Sequence, residues 1–114
     1  MALTNETNPM LAKVWILFNG TGTIAIINSY NVTSITDNGT ANYTVTFTNA
    51  FDAAENYSPV GMAGRTGGAM FCCLHQTDAT TDMLSTSVHL QTQDANNTAQ
   101  DCARVSIAIH GDPA

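Results

Sequence analysis

From Lys13 to Phe47 the chain reads KVWILFNGTGTIAIINSYNVTSITDNGTANYTVTF, short apolar runs separated by Asn, Gly and Thr. Such runs are shorter than the roughly 12 residues a stable isolated helix needs, and they match the usual length of a strand. Lys13–Phe18 is β-branched and aromatic and stops at Asn19-Gly20, a strong turn signal; Ile24–Ile27 is a second run. Val32 and Ile35 belong to a third, and after Asp37-Asn38-Gly39-Thr40 the segment Tyr43–Thr48 alternates apolar residues with Thr. That period of two predicts a strand with one buried and one wet face.

Register follows from parity. A strict two-residue Asn38-Gly39 turn pairs Ile35 with Asn42 and puts Ile35 on the face opposite Tyr43, Val45 and Phe47. A loop of three or five residues pairs Ile35 with Tyr43 and gathers all four on one face. The odd loop is therefore expected, with a β-bulge and a positive φ at Gly39 or a neighbour.

A chain of 114 residues is read as one domain able to bury a modest core without cross-links, with residues 1–12 as an N-terminal arm and 13–114 as the folded module. Only Lys13, Arg65 and Arg104 are basic, and the formal net charge is −6. Charged residues make up 11%, against about 25% in an ordinary domain, so solubility falls to Thr, Asn, Ser and Gln. So few cations cannot neutralise a run of phosphates, which argues against nucleic acid and anionic membranes as partners. MALTNETNPML has neither a basic n-region nor a continuous apolar h-region, and no stretch approaches the ~20 apolar residues of a membrane helix. The expectation is a soluble protein made in a cytoplasm. Cys72, Cys73 and Cys102 then read as reduced thiols that pack as small hydrophobes.

Beyond Phe47, residues 48–56 read as a connection, and Tyr57–Met62 as a strand that Pro59 confines to an edge or a bulge. Ala69–Leu74 is apolar on both faces, which predicts a central strand or a subunit contact. Ser85–Gln91 alternates, and in Cys102–Gly111 the residues Val105, Ile107 and Ile109 form one apolar face. About eight strands with no substantial helix predict an all-β fold, a single antiparallel, jelly-roll-like β-sandwich, with Trp15 in its core.

Candidate chemistry is sparse. Cys72, Cys73, His75, His89, Cys102 and His110 are the available metal ligands, but adjacent cysteines on a strand point to opposite faces and no C-x-x-C pair occurs. No metal or cofactor is expected. Neither Cys72 nor Cys73 sits in a nucleophile signature, so no catalytic residue and no enzyme activity are expected. The N-x-[ST] matches at Asn5, Asn19, Asn31, Asn38, Asn42, Asn56 and Asn96 follow from a chain rich in Thr and Asn. Gly64–Gly68 lacks the lysine of a phosphate loop and reads as a β-loop whose Arg65 could dock on a partner.

Ala12–Trp15 with Phe18–Ile26, then Asn31–Thr40 and Tyr43–Phe47, resemble a β module of tailed-phage virion proteins often met at the C-terminal end of tail fibres. Asn56–Gly61 and Val105–Gly111 resemble two further motifs of that module, so about half of the chain carries the likeness. Ala41-Asn42 stands where the module usually has Gly-Asp, and His110 where it has an aromatic. The resemblance implies a virion structural protein. A tail fibre carries a shaft and an attachment segment upstream, and here residues 1–12 precede the module; this shifts the expectation to a capsid decoration (cement) protein. Its implied partners are itself, as a homotrimer, and the major capsid protein. The alternatives are a receptor-binding tip module that contacts the host surface and a carbohydrate-binding β-sandwich.

Overall fold

A computed structural model describes residues 11–65, 68–74 and 82–114, with the backbone alone for 68–74. Eight antiparallel strands account for them: β1 Val14–Asn19, β2 Ala25–Tyr30, β3 Val32–Gly39, β4 Asn42–Phe47, β5 Tyr57–Arg65, β6 Gly68–Leu74, β7 Ser87–Asp94 and β8 Arg104–Gly111. The strands follow the order β2-β1-β8-β5-β6-β7-β4-β3. Because β6 meets β5, among the described residues, at Gly64↔Ala69 and Arg65↔Gly68 and then pairs along β7, the ladder folds over there. Two sheets result, β2-β1-β8-β5 and β6-β7-β4-β3, packed as a sandwich around one core.

The core is built by the alternation anticipated for β4 and β8. Tyr43, Val45 and Phe47 are buried from β4, Val105, Ile107 and Ile109 from β8, Val14, Ile16 and Phe18 from β1, and Val88 and Leu90 from β7. At one end Phe47, Phe51 and Tyr57 form an aromatic cluster, with Phe51 stacked on Tyr57 at 4.5 Å and edge-on to Phe47 at 5.3 Å. Phe51 lies in the connection between β4 and β5, which contributes to the core although it is not a strand.

Two expectations are corrected in detail. Ile35 does share a face with Tyr43, Val45 and Phe47, but its partner is Val45, and Tyr43 pairs with Asp37. The anticipated bulge lies between Asp37 and Gly39, and positive φ falls on Gly39 (131°) and Ala41 (60°), so the tight turn is Thr40-Ala41 and not Asn38-Gly39. Trp15 is not in the core. Every residue of Val14–Phe18 is apolar, so both parities could face inward; β1 buries the even one and turns Trp15 outward, 36% exposed.

Pro59 falls where it costs least, since β5 pairs with β8 from Tyr57 to Gly64 and, among the described residues, its other edge carries no ladder over most of that length. β6, expected as a central strand or a subunit contact, lies in the middle of the eight-strand ladder but at the edge of its own sheet, next to the fold-over onto β5. The side chains of Ala69–Leu74, and with them the subunit contact expected there, lie outside the described residues. The same holds for residues 1–10 of the arm, for Thr66-Gly67 and for residues 75–81.

Candidate binding surfaces

The outward parity of β1 organises one whole sheet face. Paired residues of antiparallel strands share a face, and the register aligns Tyr30, Trp15, Ala108 and Val60 in one row across β2-β1-β8-β5. Asn28, Leu17, Ser106 and Met62 form the next row. Neither row contains a charged residue. Val60 is 59% and Met62 76% exposed, and a shallow groove of about 420 Å³ runs between them and Trp15.

A second concavity, of about 500 Å³, opens where the chain crosses from one sheet to the other. Only Asn31 separates β2 from β3, and it adopts φ 59°, a left-handed conformation that Asn tolerates better than most residues. Its side chain fixes the crossing. Nδ2 donates to the carbonyls of Lys13 and Asn49 (3.1 Å each), and Oδ1 accepts from the Asn49 backbone N–H (2.8 Å) and from Asn49 Nδ2 (3.1 Å). Around this amide the cleft is lined by Lys13, Tyr30, Thr48, Asn49 and Phe51. Tyr30 is exposed, whereas Lys13 is buried and donates from Nζ to the Leu11 carbonyl (2.8 Å).

Of the residues flagged as possible metal ligands, the described ones, His89, Cys102 and His110, lie apart. Cys102 is fully buried in the core, and burial pushes its thiol up from the ordinary range. His89 lies on the outer side of β7, with Nδ1 3.2 Å from Asp82 Oδ1 and Nε2 3.3 Å from Asn38 Nδ2, and His110 is exposed on β8. Cys72, Cys73 and His75 fall outside the described side chains. Among the described residues no three of His, Cys, Asp or Glu converge on a metal-sized space. Arg65, expected at a loop tip, ends β5 and approaches Gln100 Oε1 at 3.4 Å.

The buried polar groups brace the loops instead. Tyr43 is fully buried, and its hydroxyl donates to Asp101 Oδ1 (3.0 Å) with the Gly20 carbonyl at 3.2 Å, while Asp101 Oδ1 also accepts the Ala41 N–H (2.7 Å). Burial, then the Asp101 carboxylate, pushes this phenol well above its ordinary range. Burial does the same to Tyr57, whose hydroxyl lies 2.9 and 3.0 Å from the carbonyls of Leu84 and Ser87. Asp94 is half-buried, and its carboxyl is held below the usual range chiefly by the Thr98 N–H, which closes the loop after β7.

No family model matches the chain, and no curated protein does. A solved structure does: the phiAB6 tailspike, crystallised with three-repeated oligosaccharides of Acinetobacter baumannii surface polysaccharide. The similarity has a TM-score of 0.54 at 15% sequence identity and covers 86% of this chain but 20% of the tailspike. At that identity the likeness is one of fold, and the chain spans about a fifth of the tailspike's length.

Proposed function

We propose that this chain is a receptor-binding module of a tailed-phage tail structure, which contacts polysaccharide on the host surface and carries out no catalysis of its own. The observation that carries the reading is the cleft at the sheet crossing. There Tyr30 offers an exposed ring beside the exposed hydroxyl of Thr48 and amide of Asn49, each of which already holds one partner, Thr33 Oγ1 and Asn31 Oδ1, and has hydrogen-bonding capacity left for a ligand, while Lys13 is buried at the wall of the cleft. A pyranose has an apolar face that stacks on such a ring and a hydroxyl rim that amides and hydroxyls satisfy. The cleft is braced by Asn31 and so is formed before any ligand arrives, which reduces the ordering cost of binding.

Two further lines support it. The sequence motifs resemble a module met at tail-fibre ends, and the sandwich has its fold in common with a tailspike solved with a surface oligosaccharide. The capsid-decoration reading and its partner, the major capsid protein, draw no support from that likeness. The test is calorimetric titration of the purified protein with surface polysaccharide fragments from a bacterium that the phage infects. Binding that Tyr30→Ala weakens tenfold or more, at unchanged melting temperature, supports the proposal. Absence of binding, or equal binding by the variant, overturns it.

A further inference from the structure

We infer that the outer face of β2-β1-β8-β5 is covered by the same face of a second copy of this chain. The inference does not depend on the polysaccharide reading. The two rows across this face hold exposed Trp15, Val60 and Met62, with Asn28 and Ser106 as their hydrogen-bonding side chains besides Tyr30 at the margin. Val60 and Met62 are aliphatic and more than half exposed, which suits an apolar cover and gives a sugar hydroxyl nothing to bond.

Charge selects the cover. Each chain carries a formal −6, yet from Val14 through Thr36 no residue is charged, and the same holds for Val60–Gly64 and Val105–Ile109. Two copies that meet on this face bring together the region where neither carries charge, and repulsion between charges elsewhere is screened beyond about 8 Å at physiological salt. Size fits as well. Four strands at about 4.8 Å spacing and about seven residues each at about 3.4 Å give a flat area of about 450 Å² per copy, an uncharged centre with Arg104 and His110 of β8 at its rim. The pair then buries about 900 to 1,000 Å², the low end for a specific contact, so the association is concentration-dependent and reinforced when other parts of an assembly hold the copies together. Packed sheets sit about 10 Å apart with their strands within about 30° of each other.

Trp15 is the single tryptophan of the chain and lies in the face, so its fluorescence reads the contact directly. The experiment follows sedimentation and acrylamide quenching of Trp15 from about 1 to 200 μM, for the native chain, Met62→Glu and Val60→Gln. The expected result is reversible association that protects Trp15 from quencher as it proceeds, weakened at least tenfold in both variants, whose melting curves stay those of the dilute native chain. A native chain that stays monomeric at 200 μM overturns the inference. So does association that leaves Trp15 accessible or is unchanged in both variants, and so does protection that appears only when surface polysaccharide is added, which would make the face a ligand platform.

Discussion

Removing one oxygen from the core tests how the loops are held. In Tyr43→Phe the ring stays against Phe18, edge-on at 5.0 Å, and the hydroxyl that reaches Asp101 at 3.0 Å is lost. A hydrogen bond to a charged group contributes about 1.5 to 3 kcal/mol, and no cavity larger than the hydroxyl forms, so the loss at neutral pH lies in that range. With a urea slope of about 1.5 kcal/mol/M, the midpoint falls by about 1 to 2 M. The pH dependence sharpens the test. The folded phenol titrates well above the unfolded value of about 10, so its contribution is fully present below pH 10 and is lost as pH rises beyond it, by about 1.4 kcal/mol per pH unit. Tyr57 and Cys102 shift in the same direction and act in both proteins, so they cancel in the difference. Urea melts between pH 7 and 11 should therefore show the native chain and Tyr43→Phe converging above pH 10. Parallel curves, or a neutral-pH difference below about 0.5 kcal/mol, would refute the placement of this hydroxyl against Asp101.

Neighbours on β1 should respond unequally: Phe18→Ala, fully buried, costs about 3 to 5 kcal/mol, and Trp15→Ala, on the outer face with no enclosed cavity to leave, costs about 1 to 2 kcal/mol in the dilute monomer by urea melts. Equal losses would return Trp15 to the core. Gly111→Ala places a Cβ 2.6 Å from Tyr57 Cβ and 2.9 Å from the Asn56 carbonyl, backbone-anchored atoms that cannot yield, so it should cost about 1 to 3 kcal/mol and lower the melting temperature, whereas Gly64→Ala, whose Cβ meets none of the described residues within 4 Å, should not.

Strand positions and the inward faces of β4 and β8 were legible because their apolar residues recur at every second position against Thr, Ser or Ala. The face of β1 was not, since Val14, Trp15, Ile16, Leu17 and Phe18 are apolar on both parities and pairing partners far along the chain decide between them. The Asn38-Gly39 signal was real but displaced: Gly39 supplies its positive φ at the bulge, and Ala41 takes the left-handed position beside the Asp101 carboxylate. The cleft left little local trace. Tyr30-Asn31, Thr48-Asn49 and Lys13 converge only because β2 and β3 cross between sheets with one residue to spare. A lone Asn between two strand-like runs is the one signal that could have marked it.

The proposed placement of this protein in a phage tail is tested most directly by making particles without it and measuring both adsorption to host cells and resistance to heat. The account predicts that adsorption is lost while heat resistance is normal, and that added purified protein with Tyr30→Ala fails to compete with native particles for the host surface. Normal adsorption by heat-labile particles would contradict it, because a shell-stabilising protein acts by binding the assembled head and not the host.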